Sequence, residues 1–206
     1  MNNSCERVLC FPRSVLDDIG DFQGFMFDDG KILKRILMNA NSRFVERRLA
    51  EEDPSLKQLI PYVVMKYGNK ILHYVRGKET GEQRLKSLGS IGIGGHISLT
   101  DHGLFANSML EVFNEGLRRE VAEEVEVNTN VKERIVGLIN DDSNPVGQVH
   151  LGVLLLWELT KPEVRKRERV ITSLEFLTFD ELETRKQQLE SWSQIALAAL
   201  LEIYKS

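Results

Sequence analysis

Several things are scarce in this chain, and each scarcity closes off a class. Cysteine occurs twice, at Cys5 and Cys10, with neither a second Cys pair nor a His pair at zinc-ligand spacing. The sequence therefore reads as neither a disulfide scaffold nor a zinc module. Free thiols in a reducing, cytoplasmic setting are the expectation. No apolar run reaches the ~18 residues that a bilayer-spanning helix requires. The longest, "VHLGVLLLWEL" (149–159), reads as a buried strand. The start "MNNSCERVLCFPRS" lacks the basic residues and continuous apolar stretch of a secretory leader. Basic excess is missing too: the net charge is -4, which argues against stable nucleic-acid binding. Neither internal repeats nor low-complexity tracts occur.

What is there is an ordinary globular composition, 42% hydrophobic and 28% charged over 206 residues. That is enough for one domain with a sizeable core and an added segment. Residues 1–57 read as mostly helical and irregular, an N-terminal extension packing on a core formed by residues 58–206. Within that extension "SRFVERRLAEEDPSLKQLI" has apolar positions at helical spacing and a break at Asp53-Pro54. "PYVVMKYGNKILHYVRG" (61–77) reads as two strands about a turn at Gly68-Asn69. The glycine-dense "EQRLKSLGSIGIGGHI" (82–97) follows, then a loop (98–108) and a helix over 113–127. Strands are expected at 132–141, 147–160 and 173–179. A terminal helix from 180 to 204 breaks near Glu190-Ser191. Strands, helix, strands, helix is the order of an α+β fold, helices packed on a mixed sheet in an α/β/α sandwich, with the partly helical extension added.

The informative stretch is "EGLRREVAEEVEV" (115–127), with five glutamates in thirteen residues. At about 100° per residue, Leu117, Val121 and Val125 form a stripe that faces a core. Glu120, Glu123 and Glu124 fall at i, i+3, i+4, together beside that stripe, while Glu115 and Glu126 point away. Like charges at that spacing repel, and a hard divalent cation such as Mg²⁺ or Mn²⁺ would relieve the repulsion. A solvated charged face, helped by Arg118 and Arg119, is the plainer alternative for such a run taken alone.

Here the chain resembles the Nudix hydrolase family. Glu111, Arg119, Glu120, Val121, Glu123, Glu124 and Val127 match that family's signature in register, Gly116 falls where a small residue is common, and Gly94-Gly95 resembles the glycine pair that opens it. Two departures are visible. Fifteen residues, rather than the family's five, separate Gly95 from Glu111, so "SLTDHGLFAN" must be an inserted loop. Glu126 also replaces the motif's last glycine, at what the pattern makes a helix end. The resemblance covers about residues 60–203 and leaves 1–57 unexplained.

The resemblance implies a metal-dependent hydrolase, with water attacking phosphorus in a nucleoside diphosphate linked to another moiety. Glu120, Glu123 and Glu124 would be the metal ligands, Mg²⁺ or Mn²⁺ the ion, and Glu124 the most important of the three. Glu120 would ligate or act as base. Glu111 would either add a water-mediated ligand or order the loop, or else belong only to a capping box with Ser108 as N-cap in "SMLE". Arg119 is expected to orient a glutamate. Gly94 and Gly95 would let backbone approach phosphates, unless they are simply a bulged strand. Arg76, Lys78 and Arg84 would hold the diphosphate, or are solvated hairpin residues. His96 would face the pocket or be structural. Asp141, Asp142 and His150 are further base candidates, against an ordinary polar turn.

Two other readings share the fold. One is a non-catalytic sensor of a nucleotide or sugar-diphosphate. The other is an isoprenyl-diphosphate isomerase, which would need a catalytic cysteine in the strand region, whereas the two cysteines here are at positions 5 and 10. The N-terminal "FPRSVLDDIGDFQGF" leaves three roles open: covering the pocket, making homodimer contacts, or packing on the sheet.

Overall fold

The computed structural model describes residues 6–38, 42–77, 88–102, 108–168 and 171–205. Its class is α+β, a mixed sheet with helices, as expected. Along the chain the strands are β1 (Arg7–Pro12), β2 (Gly24–Phe27), β3 (Arg43–Glu46), β4 (Leu56–Tyr67), β5 (Lys70–Arg76), β6 (Gly89–Ser90), β7 (Gly92–Ile93), β8 (Val125–Val127), β9 (Val131–Asn140), β10 (His150–Leu159), β11 (Val164–Lys166) and β12 (Ile171–Thr178). The helices are α1 (Ser14–Asp17), α2 (Lys31–Leu37), α3 (Arg47–Glu52), α4 (Met109–Glu124), α5 (Pro145–Gln148), α6 (Phe179–Thr184) and α7 (Ser191–Lys205). Among the described residues no helix is long and apolar enough to cross a membrane. Two compact units form. One comprises Met1–Tyr62, Gly94–Glu120 and Ile135–Leu154, the other Val63–Ile93, Val121–Arg134 and Leu155–Ser206.

In the first unit the N-terminal segment is not mostly helical, which corrects the expectation for residues 1–57. β1 lies between β3 and the start of β4, antiparallel to both, with Cys10 opposite Arg43 on one side and Gln58 on the other. Val8, Leu9, Cys10 and Phe11 are all buried. A strand buried on both faces shows no alternation, so its four-residue apolar run carries no period to read. β2 pairs antiparallel with β9, Gly24 opposite Asn140 and Phe27 opposite Gly137. Helix α2 buries Leu33, Ile36 and Leu37, and the Asp28 carboxylate accepts from the Ile32 and Leu33 amides at 3.0 Å each, supplying two of its orphan N–H groups with a partner.

In the second unit the expected hairpin is present, with Tyr67 opposite Lys70 and β12 antiparallel along the other edge of β5. The short strands β6 and β7 add to β5 and β4 respectively. A second correction concerns the acidic helix, which stops at Glu124 rather than 127. Residues 125–127 form β8, antiparallel to β11, with Glu126 opposite Arg165. The Glu124 carbonyl accepts from the backbone amides of Arg167 (2.9 Å) and Glu168 (3.2 Å), and Arg167 Nη1 donates to the Ala122 carbonyl at 3.0 Å. A distant segment thus satisfies the last carbonyls, a task a left-handed glycine often performs. Glu126 stands in a strand, where no glycine is needed.

The terminal helices divide where expected, α6 and α7 being separated by a short 3₁₀ turn at Lys186–Gln188. The Glu190 carboxylate accepts from the amides of Trp192 and Ser193 at 3.0 Å each, capping α7. Ser193, fully buried, turns its Oγ to the Ile91 amide, which donates to it at 2.9 Å. Ser193→Ala should therefore strand a buried N–H and cost about 1–2 kcal/mol in a urea melt. An unchanged midpoint would show that this bond contributes nothing.

Candidate active site on the acidic helix

Helix α4 begins at Ser108, whose Oγ accepts from the Glu111 amide at 3.2 Å. That is the N-cap expected of "SMLE". Val112, Phe113, Leu117 and Val121 are buried, as is Val125 just beyond the helix. The acidic residues are not alike. Glu111, Glu115 and Glu123 are exposed, Glu120 is half-buried, and Glu124 is buried. The structure therefore withdraws two of the three predicted ligands, Glu120 and Glu124, from bulk water and leaves Glu123 at the surface.

In the first unit Glu120 belongs to a tight cluster. Arg119 Nη1 donates to Glu120 Oε1 at 2.7 Å. Its other nitrogens are taken too. Nε and Nη2 donate to the two carboxylate oxygens of Asp101 at 2.6 and 2.9 Å, and Nη2 also donates to the His96 carbonyl at 2.9 Å. Those bonds, the Asp101 pair above all, push the guanidinium further above its already high range. The two glycines lie close against other parts of the chain. A Cβ on Gly95 would lie 2.2 Å from Glu120 Oε2, and one on Gly94 would lie 1.7 Å from the Pro61 carbonyl oxygen. Any side chain at 95 would push the Glu120 carboxylate aside.

His96 faces another histidine. His150 Nδ1 lies 2.7 Å from the Val146 carbonyl, so Nδ1 carries the proton and donates, which leaves Nε2 to accept from His96 Nε2 at 3.1 Å. Burial first, then the charges of Arg47, His150 and Arg119, hold the His96 imidazole well below its usual range. The His96 ring is held against His150 and its carbonyl against Arg119.

The 141–150 loop is held by a residue that sequence reasoning passed over. Lys57 is fully buried in β4, and its Nζ donates to Asn140 Oδ1 (2.8 Å), Asp142 Oδ1 (2.6 Å) and the carbonyls of Gly147 (2.8 Å) and His150 (3.3 Å). Asp142 also accepts from Arg13 at 2.8 Å and Gln23 at 2.7 Å. Burial alone would raise its carboxyl, but these donors outweigh it and hold it at about 2. A carboxylate so stabilised takes up a proton poorly near neutral pH, so the geometry makes Asp142 a counter-ion. Asp141 turns Oδ1 to the Ser143 amide at 3.2 Å, the local bond of a polar turn. A lysine inside the apolar run "LKQLIPYVVM" was the available signal.

In the second unit Glu124 meets a different cation. Arg76 Nη2 donates to Glu124 Oε1 at 2.7 Å and to the Tyr74 hydroxyl at 3.2 Å, and Tyr74 in turn donates to the Gly92 carbonyl at 2.8 Å. Arg76 thus bonds a helix carboxylate rather than standing apart as a solvated hairpin residue. Arg84 and Lys78 lie outside the described residues. Among the described residues no three His, Cys, Asp or Glu side chains stand together as a ready metal cage. Two arginines occupy the carboxylates instead. The donor chemistry nevertheless suits a hard divalent ion: carboxylate oxygens, poorly solvated, in places that already draw in positive charge.

No family model matches the sequence. Protein YmaB of Bacillus subtilis (strain 168) is 36% identical over 97% of this chain and 100% of its own length. The crystal structure of Tm1382, assigned to the Nudix hydrolases, is 34% identical, covers 96% of this chain and 100% of that one, and superposes with a TM-score of 0.80. Both matches run through the N-terminal segment as well as the rest. A bifunctional NMN adenylyltransferase/ADP ribose pyrophosphatase from Francisella tularensis, complexed with AMP and an Mn ion, shares the fold at 15% identity and a TM-score of 0.52, over 76% of this chain and 45% of its own.

Two measurements test the geometry. Asp142→Asn removes the anion facing a fully buried ammonium and should cost about 3 kcal/mol in denaturant melts; a loss below about 1 kcal/mol would contradict the network as described. The His96 imidazole, depressed from 6.5 in the fold, contributes stability that is present above about pH 6.5 and is lost as pH falls through its lower folded value. Melting temperature should therefore drop on acidification below 6.5, and His96→Gln should flatten part of that drop. Identical profiles for the two proteins would refute it.

Proposed function

The chain belongs to the Nudix hydrolase family and is an enzyme of its pyrophosphohydrolase type. From that premise we propose that it cleaves the diphosphate linkage of a nucleoside diphosphate joined to another moiety, by attack of water on phosphorus, with a divalent metal ion. The observation that carries the proposal is the placement of Glu120 and Glu124 on α4, each poorly solvated and each drawing in a cation. The ion is Mg²⁺ or Mn²⁺ in this reading, the donors being carboxylates. Glu120 and Glu124 would serve as ligands, with Glu123 on the exposed side and Glu111, in the first turn of α4, as an outer residue that orders the helix start. A bound ion would neutralise the diphosphate and lower the pKa of the attacking water.

The chain's own residues do the rest. Arg119 fixes the rotamer of Glu120, and Gly95 leaves room for that carboxylate. Arg76 donates to Glu124 at 2.7 Å. In this reading its guanidinium would also serve a phosphate oxygen of the substrate. Gly94 and Gly95 present backbone rather than side chain to the substrate, and His96 keeps that backbone in place. Residues 58–206 carry the catalysis in this proposal. ADP-ribose is the first probe, because a protein of the same fold is an ADP ribose pyrophosphatase.

The test is a panel of such conjugates, ADP-ribose first, incubated with Mg²⁺ or Mn²⁺ and either wild type or Glu124→Gln. Turnover by wild type and a loss on the order of 100-fold or more in the variant is the expected result. Equal turnover by both would sink the mechanism. Binding of the conjugates without any cleavage would favour the sensor reading.

A further inference from the structure

The lengthened loop between Gly95 and α4 supplies a carboxylate that the acidic motif does not contain. We propose that Asp101 is a positioning residue for Glu120: it takes up the charge and two of the donors of Arg119, so that Glu120 is oriented by the arginine without being neutralised by it. The proposal rests on reading Glu120 as a metal ligand.

The geometry is closed on every side. Asp101 accepts from Arg119 Nε at 2.6 Å and Nη2 at 2.9 Å, the fork-to-fork arrangement that holds a guanidinium in one plane. Its Oδ2 also accepts from the Ser98 amide at 2.7 Å, and the Ser98 carbonyl accepts from the Asp101 amide at 3.0 Å, so the loop fixes its own carboxylate. The loop is anchored in turn, since the Ile97 carbonyl accepts from the Leu9 amide of β1 at 2.9 Å. Helix α4 makes room for it: a Cβ on Gly116 would stand 2.7 Å from Asp101 Oδ2. The Asp101 side chain is 4% exposed, against 31% for Arg119 and 16% for Glu120.

The charges then decide the consequence. Arg119 and Glu120 alone would form a neutral pair with little attraction for a cation. With Asp101 included, the three side chains carry one net negative charge, in a place where water screens it poorly. Arg119 reaches Glu120 through Nη1, at 2.7 Å, while Nε and Nη2 are turned to Asp101 and Nη2 also to the His96 carbonyl. Glu120 therefore keeps a fixed rotamer, and the Asp101 charge offsets the guanidinium that would otherwise weaken its hold on a metal ion. Simple anchoring of the loop would need the same contacts but makes no prediction about cation affinity, and that difference can be measured.

The experiment is calorimetric titration of Mn²⁺ into the full chain, with melting temperature recorded alongside. Four variants are compared with wild type: Asp101→Asn, Asp101→Glu, Asp101→Asn combined with Arg119→Gln, and Glu120→Gln. Asp101→Asn should weaken Mn²⁺ binding by on the order of tenfold. Asp101→Glu keeps the charge and should retain most of the affinity. Removing the arginine as well should recover affinity relative to Asp101→Asn alone, because the uncompensated positive charge leaves with it. A double variant no tighter than Asp101→Asn, or an Asp101→Asn protein with wild-type affinity and only a lower melting temperature, overturns the inference. Glu120→Gln separates the two levels. If it binds Mn²⁺ like wild type, or if wild type takes up no Mn²⁺, the ligand reading falls and this inference with it. If Glu120→Gln weakens binding and Asp101→Asn does not, the inference alone falls.

Discussion

A carboxylate withdrawn from water needs a positive charge beside it, and α4 imposes that need twice. Its apolar stripe has to be buried, and Glu120 and Glu124 sit next to that stripe, so burying one drags the other part of the way in. Arg119 answers for Glu120 and Arg76 for Glu124, each at 2.7 Å. Much of the surrounding structure serves those two pairs. Asp101 and the His96 carbonyl hold Arg119, the Tyr74 hydroxyl holds Arg76, and Gly95 and Gly116 withhold side chains where the carboxylates of Glu120 and Asp101 must pass.

The same constraint appears at Lys57, with the signs exchanged. An ammonium with no exposure is tolerable because four acceptors surround it, and one of them, Asp142, is an anion that Arg13 and Gln23 also bond. Through those bonds the N-terminal segment is tied to the 141–150 loop, and through Leu9 to the 97–101 loop. The described part of the N-terminal segment is thus bonded into the first unit, and the relatives match along nearly the whole chain. The segment's sequence is uninformative for a physical reason. Short strands buried on both faces, as at Val8–Phe11, show no period.

How much was legible follows the range of each interaction. The 3.6-residue period separated Glu120 and Glu124 from Glu115, because neighbours on a helix are set by spacing alone. The same period over-extended the helix to 127. Val125 continues the apolar stripe whether it lies in a helix or begins a strand, and the pairing with β11 that decides the matter involves residues forty positions away. Glu126 looked like a defect at a helix end for the same reason. The inserted loop looked like mere added length. That its "SLTD" carries the partner of Arg119 depends on a contact across eighteen residues.

Residue identity and local periodicity by themselves determined the α+β class, the hairpin at Gly68-Asn69, the cap at Ser108 and the acidic face of α4. These depend on backbone geometry within one or two turns, which sequence encodes directly. Tertiary structure alone decided which cation each glutamate meets, where the helix ends, and that Lys57, Asp101 and the His96–His150 pair matter. Those outcomes follow from desolvation. The cost of burying a charge appears only when distant segments close over it, and the partner that offsets it can come from anywhere in the chain.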